Sequence, residues 1–144
     1  MRKIKKGFTL IEIMLVVIII GVLVAMVAPN ISGRSEQARA VAARTDIEAN
    51  LSTALDLFQM DIGHYPTTAQ GLQSLVTAPT DGDADKWKGP YLKKKHKIPK
   101  DPWNHEYVYK APGEHNKESY DLSSLGADGT VSADDVANWD TGKP

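Results

Sequence analysis

Residues 8–28 read FTLIEIMLVVIIIGVLVAMVA, an apolar run broken only by Thr9, Glu12 and Gly21. As a helix rising about 1.5 Å per residue it covers ~32 Å, close to the hydrocarbon thickness of a bilayer. Residues 8–29 therefore read as a membrane-spanning helix with Pro29 at its end. The seven residues before it carry Arg2, Lys3, Lys5 and Lys6, and the positive-inside rule keeps such a cluster in the cytoplasm. A secretory signal peptide shares this layout, but it needs small residues at a cleavage site after the apolar core. Cutting after Ala28 would put Met26 at the third position before the bond and Pro29 just after it, a poor site. Gly7 lies ahead of the run, so a cut between Gly7 and Phe8 removes residues 1–7 as a leader and keeps the helix.

Glu12 is costly in such a place. An ionised carboxylate in lipid needs a partner. Either it complements the helix dipole in the first turn, or it meets a positive charge from outside its own chain. Cleavage after Gly7 would supply one, the freed amine of Phe8 on a second subunit. Two charges that lipid rejects would then select a neighbour at one axial stagger.

A basic leader, Gly7, then Phe8-Thr9-Leu10-Ile11-Glu12 and a long apolar helix resemble the type IV pilin and pseudopilin superfamily. That resemblance implies cleavage between Gly7 and Phe8 by a prepilin peptidase, N-methylation of Phe8, and a role for Glu12 in assembly.

Past Pro29, which cannot donate to the helix ladder, residues 30–62 turn amphipathic. Ile47, Leu51, Leu55, Phe58 and Ile62 recur at helical spacing, while Arg44, Asp46, Glu48 and Asn50 fall mostly off that stripe. Gly63 is a stop signal. Residues 8–62 thus read as one long helix, weakened at Gly21 and Pro29, whose second half lays its stripe on a small C-terminal domain, 63–144.

In that domain Thr67-Thr68-Ala69-Gln70 fits a capping box opening a helix to about Val76. Residues 77–105, rich in Pro, Gly, Asp and Lys, read as loop. Glu106–Lys110 and Tyr120–Ser124 read as strands about a turn at Pro112-Gly113. The class is α+β, a long helix packed on a small antiparallel sheet.

Much chemistry is excluded. The chain has 144 residues, a net charge of −1 and no cysteine, which removes disulfides, thiol catalysis and cysteine zinc sites. Lys93-Lys94-Lys95 lacks interleaved aromatics and reads as a solvated loop, not a nucleic-acid face. His64, His96, His105 and His115 have no metal-ligand spacing and read as ordinary loop residues, and no nucleophile elbow or phosphate-binding loop is present. The chain does not read as an enzyme.

Residues 125–135, LGADGTVSADD, concentrate Asp128, Asp134 and Asp135 with Ser132 and turn carbonyls. An all-oxygen set suits calcium rather than zinc, and a small domain without disulfides gains from a metal staple. The spacing is not that of an EF-hand. Composition leaves a calcium loop and a solvated Asp-Gly turn both open.

A second resemblance covers nearly the whole chain. Tyr65-Pro66-Thr67-Thr68, Gln70-Gly71-Leu72, Asp101-Pro102-Trp103, Ser124-Leu125-Gly126-Ala127-Asp128-Gly129, Asp134-Asp135 and Asn138-Trp139 resemble the major pseudopilins of bacterial type II secretion systems. The family frequently has Gly where Asn104 follows Trp103. The resemblance implies a pilin-like fold and a calcium ion held by the Leu125 carbonyl and by Asp128, Ser132 and Asp134. Asp135 is a further candidate, as is the carbonyl of Thr130 or of Val131. It also implies a homopolymeric filament in the periplasm that drives folded proteins across the outer membrane. The implied partners are minor pseudopilins, an inner-membrane assembly platform with a cytoplasmic ATPase, the prepilin peptidase, and membrane lipid before assembly. The implied location is the Gram-negative inner membrane, crossed once, with the C-terminal domain periplasmic. The alternative is a type IV pilin for adhesion or motility.

Overall fold

The computed structural model describes residues 7–92 and 97–141, with the backbone alone at 27–32. The leader cations and the Lys93–Lys95 run with His96 lie outside the described residues. In order the elements are α1 (Leu10–Thr45), a π-helical segment (Asp46–Leu51), α2 (Ser52–Ile62), a 3-10 turn (Leu72–Leu75), and strands β1 (Val108–Lys110), β2 (Asp121–Ser124) and β3 (Val136–Ala137). The chain divides into two compact units, Met1–Gln37 and Ala38–Pro144.

In the first unit, α1 has helical backbone across position 29. Every large apolar side chain from Phe8 to Met26 is exposed, from 45% at Val16 to 82% at Leu10. Among the described residues no helix is long and apolar enough to cross a membrane. The helical apolar side chains described there run from Leu10 to Met26, about 25 Å of rise, short of a ~30 Å core. The run that suggests a membrane span includes two further apolar residues, Val27 and Ala28.

The second unit gathers its core around the end of the long helix. Ala43, Ile47, Leu51 and Leu55 recur every four residues, and an α-helix turns ~100° per residue, so each step overshoots by about 40°. Over three such steps the stripe would drift round the helix. The π segment winds more loosely and takes up that drift, and all four side chains are at most 1% exposed. Phe58 and Ile62 extend the stripe, which meets Leu72, Leu75, Tyr107, Tyr120, Leu122 and Val136. Three tyrosine hydroxyls fasten loops and strand to the helix flanks: Tyr107 donates to Asp46 (3.1 Å), Tyr65 to Asp56 (3.0 Å) and Tyr91 to Asp61 (3.0 Å).

Gly63 ends α2 as its position suggests, at φ 104°, with its N–H on the Gln59 carbonyl at 2.8 Å. The helix expected after Thr67 does not form. Its capping box does: Thr67 N–H meets Gln70 Oε1 (2.7 Å) and Gln70 N–H meets Thr67 Oγ1 (3.2 Å). One turn later Gly71 takes φ 59°, ψ −171°, far from helical values, and the chain restarts as the short 3-10 turn.

The strands are antiparallel in the order β1-β2-β3. Both expected strands form, trimmed at their N-terminal ends. The third, β3, has two residues and lacks the length that marks a strand in sequence. Asn138 lengthens it with its side chain, accepting from the Leu122 N–H at Oδ1 (2.9 Å) while its own N–H reaches the Leu122 carbonyl (3.0 Å).

Candidate functional site: the N-terminal junction and the acidic loop

Gly7, Phe8 and Thr9 precede the helix, and Phe8 is exposed. Thr9 and Glu12 form a second capping box. Glu12 N–H points to Thr9 Oγ1 (3.3 Å), while Glu12 Oε2 accepts from the Thr9 N–H (3.3 Å) and hydroxyl (3.5 Å). The carboxylate thus satisfies donors at the helix start, which have no intrahelical partner. Thr9-x-x-Glu12 has the same spacing as Thr67-x-x-Gln70.

The acidic loop splits into two groups. Asp128 Oδ1 accepts from the Thr130 N–H (2.9 Å), a local turn. Asp134 folds back on the loop's start: Oδ2 accepts from the Ala127 N–H (2.7 Å) and Oδ1 from the Ser132 hydroxyl. Asp135 Oδ1 accepts from the Ser132 N–H (3.2 Å). The Ser132 hydroxyl, then the Ala127 N–H, hold the Asp134 carboxyl below its ordinary range. Gly126 has φ 64°, and a Cβ there would run into the Asp134 carboxylate. Leu125 and Asp135 are half-buried, whereas Thr130 and Val131 face solvent. The loop therefore brings Ser132, Asp134 and Asp135 together and keeps Asp128 with Thr130. Among the described residues no three Asp, Glu or His side chains converge on one point. The donor set is oxygen throughout, the chemistry calcium prefers.

Beneath the loop is a brace the sequence did not reveal. Asp101 is buried, and its carboxylate accepts from the Ser124 hydroxyl (2.5 Å) and the N–H groups of Trp103 (3.1 Å) and His105 (2.7 Å). Ser124 Oγ in turn receives the Gly126 N–H (3.3 Å), and His105 Nδ1 lies 3.1 Å from the Gly126 carbonyl. A carbonyl only accepts, so this His105 tautomer carries its proton on Nδ1. Asn104 sits at φ 71°, in the left-handed region that suits Gly first and Asn next. His105 is thus not an idle loop residue.

Nor is His115. Its ring lies flat on Trp139, centroids 4.3 Å apart, and its Nδ1 is 3.0 Å from Asp121 Oδ2. Asp121 also accepts the N–H groups of Glu114 (2.7 Å), His115 (2.9 Å) and Asn116 (2.9 Å). Burial pushes the Asp121 carboxyl up, but those bonds together outweigh it and hold the group below its ordinary value. No sequence spacing announces this nest, because its donors are successive amides of the 113–116 loop.

Comparison with known proteins bears on both halves of the chain. Residues 30–139 match the family described as Type II secretion system (T2SS), protein G, and residues 2–28 match the Prokaryotic N-terminal methylation motif. The Type II secretion system core protein G of Escherichia coli (strain K12) is 48% identical over 96% of this chain and 94% of its own length. That of Pseudomonas aeruginosa is 46% identical over 96% and 98%. The crystal structure of the major pseudopilin from the type 2 secretion system of enterohaemorrhagic Escherichia coli aligns with a TM-score of 0.59 at 32% identity. The alignment covers 77% of this chain and 95% of that one. With its family matched over residues 30–139 and relatives this similar along nearly their full length, the chain belongs to the type II secretion system protein G family.

Proposed function

We propose that the chain is the repeating structural subunit of a type II secretion pseudopilus. It polymerises in the periplasm and helps drive folded proteins across the outer membrane. The observation that carries this reading is the shared sequence and fold with a major pseudopilin. A type IV pilin is disfavoured, since the matched family across residues 30–139 is protein G of type II secretion. The family is a structural one, so the work is assembly rather than catalysis.

Before assembly, 8–29 holds the chain in the inner membrane with 63–144 in the periplasm. Prepilin peptidase cuts between Gly7 and Phe8, and the Phe8 amine is methylated, a reading supported by the methylation motif over residues 2–28. Glu12 then exchanges its local Thr9 partner for the Phe8 amine of a neighbour. The exposed apolar side chains from Phe8 to Met26 supply the contact surface, first to lipid and then to other subunits. Minor pseudopilins, the assembly platform and a cytoplasmic ATPase complete the apparatus.

Calcium in the acidic loop belongs to the same reading. Leu125 through its carbonyl, with Asp128, Ser132 and Asp134, would hold it; Asp135 and the carbonyl of Thr130 or Val131 are the remaining candidates. The ion would draw together carboxylates that otherwise repel. What supports it is the oxygen-only donor set and the Asp134 carboxylate turned back on Gly126 and Ala127.

The test combines processing and assembly. In cells bearing the secretion apparatus, wild-type filaments should contain chains beginning at methylated Phe8 by mass spectrometry. Glu12→Ala should still enter the membrane and be cut there, yet form few or no filaments. Filaments at wild-type number from that variant, or functional filaments retaining Met1, would overturn the reading.

A further inference from the structure

The outer edge of β1 has no strand beside it among the described residues. Leu122 uses both main-chain groups toward β3, through Asn138. Main-chain groups alternate sides along a strand, so Leu122 and Ser124 face β3 while Asp121 and Ser123 face β1. The register pairs Asp121 with Lys110 and Ser123 with Val108. Those two β1 residues therefore spend their N–H and C=O groups on β2, and Tyr107, Tyr109 and Ala111 point theirs off the sheet. Ala111 bears this out. Its N–H donates to Thr68 Oγ1 (3.0 Å), and its carbonyl accepts from the Thr68 hydroxyl (3.0 Å) and N–H (3.3 Å). Thr68 stands in for a neighbouring strand at that single position.

Beside Tyr107 and Tyr109 no such stand-in exists among the described residues. A cavity of about 490 Å³ opens there instead, lined among the described residues by Gly71–Gln73, Lys97–Lys100, Glu106 and Tyr107 just ahead of β1, and Tyr109 within it. The Tyr107 and Tyr109 side chains are already committed, their hydroxyls bonded to Asp46 (3.1 Å) and the Pro66 carbonyl (2.7 Å). What the edge offers is backbone pairing. Val108, 46% exposed, and Lys110 lie on the opposite, open face of the strand. An added strand would cover Val108 with an apolar side chain. Lys97 and Lys100, both exposed, line the same cavity, where Glu106 is the one acidic residue among the described lining.

We propose that β1 accepts an extended acidic segment of another protein as a fourth strand, paired through the main chains of Tyr107 and Tyr109. Backbone bonds give such a mode its affinity, while side-chain pockets and charges give its preference. The inference is independent of the acidic loop and of the Phe8 junction.

The probe is a blocked hexapeptide alternating Glu and Val, added to the full chain in detergent micelles and followed by amide hydrogen exchange. In the free chain the Tyr107 and Tyr109 amides should exchange rapidly. With the peptide their exchange should slow by about ten-fold or more. N-methylating the peptide amides that face β1 should abolish the effect. Replacing Glu by Lys in the peptide should weaken it, and Lys97→Glu with Lys100→Glu in the chain should reverse that preference. Four outcomes would overturn the proposal. One is protection of both amides in the free chain, meaning the edge is already covered. Another is binding indifferent to N-methylation. The last two are no protection at millimolar peptide, and protection arising only from association of the chain with a second copy.

Discussion

Two stretches of helix, both rich in apolar residues, meet opposite fates. From Phe8 to Met26 every large apolar side chain is exposed; from Ala43 to Ile62 the stripe residues are buried. Patterning makes the difference. In the second stretch most apolar residues keep to one face, Leu57 and Met60 being the exposed exceptions, so one sheet and a few loop side chains can cover the stripe. In the first they surround the helix, and a small domain has no element able to wrap it. A helix apolar all round must find its environment elsewhere, in lipid or among other copies. The second stretch builds the core, and the first leaves its apolar surface exposed.

That division can be broken by experiment. The largest stability effect should come from Phe58→Ala, which empties a fully buried site in the second stretch and should cost ~3–5 kcal/mol. Thermal or denaturant unfolding of the full chain in detergent measures it. Next is calcium, which should act on the second unit alone. At free calcium 100-fold above Kd it should stabilise by about 2.7 kcal/mol, raising the melting temperature by on the order of ten degrees. Asp128→Ala should erase the response, and equal melting in chelator and in millimolar calcium would make the loop a solvated turn.

The third test uses Asp121. Its folded carboxyl titrates below the ordinary unfolded value of about 3.9. The stability it contributes is therefore fully present above that value and is lost as pH falls through the folded one. Asp121→Asn should cost about 1–3 kcal/mol at neutral pH, since an amide cannot accept every N–H of the nest. The same variant should flatten the acid limb of the stability profile. The smallest effect should be that of Ile18→Ala, within about 0.5 kcal/mol of wild type in detergent, as for exposed positions generally. It should nonetheless reduce filament yield. A large loss of fold stability from Ile18→Ala would erase the contrast between the two stretches.

What the sequence disclosed follows the same line. Periodicity exposes Ile47, Leu51, Leu55, Phe58 and Ile62 because a helix face is a local pattern. The junction at Gly7, Phe8 and Glu12 is legible because polarity changes there within a few residues. The acidic loop shows itself by composition, but its division between Asp128 and Asp134 does not. The Asp101 brace was hidden because its bond to Ser124 spans 23 residues. β3 was hidden because two residues make no pattern until Asn138 adds its side chain. The helix expected at Thr67–Val76 fails for a backbone reason: the capping box forms, and Gly71 then leaves helical space.

The π-helical turn at Asp46–Leu51 also has a genetic meaning. A π turn holds more residues than an α turn, so the segment is what a single-codon insertion into a regular helix looks like once the fold has accommodated it. Deleting one residue there should return the segment to α winding and keep the core face: Ala43 and Leu55 would then stand about 1100° apart along the helix, only ~20° past three full turns. A one-residue change in a regular helix turns everything ahead of it by ~100°; here the change is absorbed within the loosely wound turn.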